Sequence, residues 1–65
     1  MSYRTFIAKT TALAAREGYK VRHHKTEDGR FFADFSDGSR VVGNHTALRV
    51  AVYDSTRNHM GFATL

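Results

Sequence analysis

The chain of 65 residues contains no cysteine. That excludes disulfide staples and thiolate metal sites. A chain this short buries only about 60% of the surface its unfolded form exposes. Its stability must then come from a compact core, from self-association or from a bound partner. Long apolar runs are also missing, and none approaches the roughly 20 residues of a membrane span. The one early apolar triplet, Phe6-Ile7-Ala8, is interrupted at Lys9, so no signal-peptide core is present. The expectation is a cytoplasmic protein without a membrane partner. Carboxylates are few: six Asp/Glu stand against ten Lys/Arg, the net charge is +4 and the pI is about 10.0. This excludes DNA mimicry and suits a polyanion or an acidic protein surface. No linker or low-complexity stretch divides the chain, which reads as one small α+β domain over residues 1–65.

Motifs that carry catalysis are equally scarce. No phosphate-loop glycine spacing occurs. His23 and His24 are adjacent on an expected strand and point to opposite faces, so they cannot chelate one ion. His45 and His59 fall in expected loops, and the paired ligand spacings of a zinc site are absent. No metal and no cofactor are expected. No motif fixes a nucleophile beside an acid or base. The expected activity is binding without catalysis.

What is present is a pattern of elements. Tyr3, Phe6, Ile7, Thr10, Leu13 and Ala14 share one face at helical spacing, which predicts a helix over residues 3–17. Ser2 can cap its start, and Gly18 can end it in the left-handed conformation. A strand is predicted from Tyr19 to Thr26 and another from Arg30 to Phe35. Two Asp-Gly turns flank the second: Glu27-Asp28-Gly29 and Ser36-Asp37-Gly38. A three-residue loop at each pairs Val21 with Phe35, His23 with Ala33, and Arg22 with Asp34. It also pairs His24 with Phe32, Ala33 with Val41 and Asp34 with Arg40. This register keeps apolar with apolar and opposite charges together.

Gly43 and Asn44 end the third strand. Leu48, Val50 and Val52 alternate with Arg49, Ala51 and Tyr53, which favours a fourth strand. Thr46 could instead cap a helix from Ala47 to about Thr56, giving an α-β-β-β-α order. That order is similar to the element order of double-stranded-RNA-binding domains, without their lysine-rich helix start. Residues 61–65 read as a short edge strand or a packed tail. The expected fold is thus α+β: one N-terminal helix on one face of an antiparallel meander of three or four strands.

The helix is expected to cover the face bearing Tyr19, Val21, Phe31, Ala33 and Phe35. The other face is the candidate binding surface, carrying Lys20, Arg22, His24, Arg30, Phe32 and Arg40. Phe32 is an aromatic left among cations, and Asp34 is expected between arginines with a lowered pKa. Two binding roles fit. One is a protein partner or self-association, as for a small regulator or inhibitor of phage or mobile-element type. The other is single-stranded nucleic acid, with Phe32 stacking on a base and the cations on phosphates.

Overall fold

The computed structural model describes all 65 residues. Helix α1 spans Tyr3–Arg16. The Ser2 hydroxyl accepts from the Thr5 amide at 3.1 Å and caps its start. At the other end Gly18 has φ of +82°. The Tyr19 amide donates to the Ala14 carbonyl at 2.7 Å and the Gly18 amide to Ala15 at 3.2 Å. This doubly bonded stop satisfies the last carbonyls and turns the chain toward the sheet.

Five strands follow: β1 (Val21–Glu27), β2 (Arg30–Phe35), β3 (Arg40–Asn44), β4 (Arg49–Tyr53) and β5 (His59–Thr64). They pair antiparallel in the order β1-β2-β3-β4-β5, a simple meander. The α+β class holds, with one strand more than the upper expectation. Residues 49–53 are strand, so the α-β-β-β-α alternative is excluded. Residues 59–64 form the edge strand.

The two Asp-Gly turns differ. At Ser36-Asp37-Gly38 the Phe35 amide donates to the Ser39 carbonyl at 2.9 Å, which closes the expected three-residue loop, with Gly38 at φ of +91°. At the first turn Glu27 pairs directly with Arg30. Asp28 and Gly29, at φ of 53° and 76°, make a two-residue loop with both central residues left-handed. The three-residue expectation there is corrected: Asp28 tolerates this conformation, so no third residue is needed.

A two-residue loop alone would set Arg22 against Phe35. A β-bulge between Val21 and His23 absorbs the conflict. The extra residue, Arg22, shifts the strand by one, so Val21 still pairs with Phe35. Beyond the bulge, every face assignment in β1 is the reverse of the expected one. His23 pairs with Asp34, His24 with Ala33 and Lys25 with Phe32.

The core lies between α1 and the inner sheet face. Phe6, Ala14, Phe31, Ala33, Phe35, Val41 and Val50 are buried, with Tyr3, Leu13, Val21, Val52 and Leu65 packed around them. Phe6 sits 5.5 Å from Phe31, ring centre to ring centre. The inner sheet also has to admit Phe6, and Gly43 makes the room: a Cβ there would stand 3.1 Å from the Phe6 ring and from Val50. Tyr19, expected inside, is exposed. No helix is long and apolar enough to cross a membrane.

Candidate ligand-binding face

With the helix on one side, the strand alternation and the pairing define what the outer face presents. Three rows run across it. The middle row is Lys25, Phe32, Val42, Ala51 and Phe62, one residue from each strand. From β2 to β5 this row is apolar, and three strand spacings make it about 14 Å long. One neighbouring row is His23, Asp34, Arg40, Tyr53 and His59. The other holds Glu27, Arg30 and Asn44, continued on the far strands by Arg49 and Thr64. An apolar strip with aromatic ends therefore lies between two rows that carry guanidinium groups.

Phe32 is half-buried in this face. The Lys25 ammonium and the Arg40 guanidinium each lie 5.2 Å from its ring centre. Arg49 stands 4.4 Å over the Phe62 ring, which is 60% exposed. His59 bridges the aromatics, 5.0 Å from Phe62 and 5.3 Å from Tyr53. Lys25, Arg30, Arg40, Arg49 and Arg57 bring five cations to the face, and Glu27 and Asp34 bring two carboxylates.

Asp34 is the hub of one flank. Arg40 Nε donates to its Oδ1 at 2.6 Å and Arg40 Nη2 to its Oδ2 at 3.0 Å. His23 Nε2 lies 2.8 Å from Oδ2, and Arg57 Nη1 donates to Oδ1 at 3.4 Å. The Arg40 hydrogen bonds hold the carboxyl below the usual carboxylate range. Burial opposes them, and the charges of Arg40, His23 and Arg57 add to the lowering. The direction is the expected one, but the partners differ. Arg22 was expected to pair with Asp34. Its place in the bulge removes it, and His23 and Arg57 take its part.

The other expected site residues divide. Arg30, Phe32 and Arg40 lie on the outer face and line a shared shallow groove with Val42, Tyr53 and Arg57. Lys20 precedes β1 and is exposed, tied to the outer edge only through its backbone, whose amide donates to the Ser36 hydroxyl at 3.0 Å. Arg22 is exposed at the bulge. His24 is the clear correction: it faces the helix, with Nε2 2.7 Å from Thr10 Oγ1 and its ring edge-on to Phe6. Burial first, and the neighbouring His23 second, lower its pKa.

Lys25, Arg49, Tyr53, Arg57 and Phe62 were not singled out from sequence. The alternation that predicts β4 already sets Arg49, Ala51 and Tyr53 on one face. Phe62 was recoverable only by extending the sheet to a fifth strand. No protein family, curated protein or solved structure matches this chain.

Proposed function

We propose that the outer face binds single-stranded nucleic acid. The observation that carries this reading is the apolar row from Phe32 to Phe62, with Tyr53 beside it, held between Arg30 and Arg49 on one side and Arg40 and Arg57 on the other. Unpaired bases stack on aromatic rings whatever their identity, and each stack contributes about 1–3 kcal/mol. Guanidinium groups on both flanks can follow a phosphate backbone laid along the row. The meander supports the rings on regular strands, so the platform exists before the ligand arrives and little order must be gained on binding.

The test is fluorescence anisotropy with mixed-sequence single strands. Binding is expected at low salt, with a log–log salt slope of roughly −2 for phosphate contacts from Arg40, Arg49 and Arg57. Phe32→Ala and Phe62→Ala should each weaken it about five-fold or more, with the circular dichroism of the fold retained. A chain that retains no oligonucleotide at low salt refutes the reading. One observation favours a second role, as a regulator that docks on a protein. Leu48, Met60 and Phe62 are each about three-fifths exposed on β4, β5 and their approach. An exposed apolar edge of this kind suits a protein partner.

A further inference from the structure

Resting on the nucleic-acid reading, we infer that the groove over the β3–β5 part of the apolar row selects guanine. The groove has a volume of about 350 Å³ and a floor of Val42, Ala51 and Tyr53. Arg30 and Asn44 stand at one rim, Arg49 and Phe62 at the other. No carboxylate lines it.

The charged and amide side chains lining it, Arg30, Arg49 and Asn44, present donors, and the Tyr53 hydroxyl can donate as well. Arg30 is exposed and takes part in no ion pair, so its guanidinium fork is free. Asn44 has its oxygen fully engaged. Oδ1 accepts from the Thr46 amide at 2.9 Å, the Thr46 hydroxyl at 2.8 Å and the Ala47 amide at 3.0 Å. These bonds fix the amide's orientation and leave Nδ2, with its two N–H groups, as the free end. Arg30 and Asn44 pair across β2 and β3, so the two sets of donors are neighbours.

Guanine carries two adjacent acceptors, N7 and O6, on one edge, and a guanidinium meets both at once. Adenine sets a donor beside its N7, and that donor would face the Arg30 fork. The rim, where the Arg49 guanidinium lies 4.4 Å from the Phe62 ring centre, supplies the stacking surface for the larger purine ring.

The experiment uses uridine oligonucleotides with one variable central base, titrated into the full chain at constant salt. The guanine strand should bind about five-fold tighter or more than the adenine, cytosine and uracil strands. Inosine, which keeps N7 and O6, should match guanine, and 7-deazaguanine should fall to the adenine level. Arg30→Leu removes the donors that meet N7 and O6, so the ratio of guanine to adenine affinity should fall to about one. Equal binding of all four strands overturns the guanine inference and leaves the strand-binding reading standing. Failure of every strand to bind overturns both. Inosine falling together with 7-deazaguanine, or cytosine matching guanine, overturns the assignment of the N7–O6 edge.

Discussion

His24 illustrates how one side chain can turn toward the helix of a protein whose outer surface it was expected to decorate. Thr10 donates its hydroxyl hydrogen to the Phe6 carbonyl at 2.8 Å, so its oxygen is left to accept from His24 Nε2–H. The neutral ring with its proton on Nε2 satisfies this arrangement. Protonation adds a charge beside Phe6 and the helix, and the lowered pKa follows from that burial. For a base whose folded pKa is depressed, the unfolded chain binds more protons between the two values. The stability His24 contributes is therefore full above the ordinary histidine value of about 6.5 and is lost as pH falls through the lower folded value. His24→Gln should flatten the decline in Tm between neutral and mildly acidic pH. An unchanged pH slope in that variant would place the titration elsewhere. The position was illegible in sequence because His23 and His24 are both polar, and only the pairing decides which one turns inward.

At the scale of elements, the legible parts were those where one residue type settles the geometry. Ser2 and Gly18 bound α1, and Arg30–Phe35 carries its own alternation between two turns. The third strand was less determined, since Val41 and Val42 offer the core equal claims. The structure decides through Gly43, on the same face as Val41, which leaves space for Phe6. Phe6 and Val50 are fully buried and closely packed, so neither can move aside for an added methyl. Gly43→Ala should destabilise the fold by about 1–3 kcal/mol. A urea midpoint lowered at unchanged m-value is the expected signature, and an unshifted midpoint would show that the core has slack there. Strand β5 was the least legible element. Its own pairing is irregular opposite Val52 and Tyr53, and its apolar residues, Met60, Phe62 and Ala63, do not keep a single alternation.

At the scale of the whole molecule, a core of seven buried side chains supports a sheet whose second face is open. Such a sheet could be covered by its own copy. Charge argues against that here. A two-fold dimer sets the same patch against itself, and this patch carries Lys25, Arg30, Arg40, Arg49 and Arg57 with only two carboxylates to oppose them. The expected solution mass is 7.3 kDa across a wide range of protein concentration. A mass that doubles with concentration, and reverts with Phe62→Lys, would make the apolar row a subunit interface instead. The overall class, the helix-covered face of β2 and the basic character of the other face were readable from alternation and composition, whereas the faces of β1 were not. The three-row pattern was not, because it depends on the pairing of all five strands at once.

The bulge at Arg22 has a bearing on how this chain tolerates changes of length. Strand β1 holds one residue more than its ladder requires. Losing a residue elsewhere in a strand inverts which side chains meet the core from that point onward. Losing Arg22 would instead leave Val21 opposite Phe35 and His23 opposite Asp34 as consecutive rungs of an unbroken ladder. The surplus residue is a phase slip that brings the two ends of the strand into agreement. It marks the one place in β1 where the chain can be shortened without turning the strand inside out.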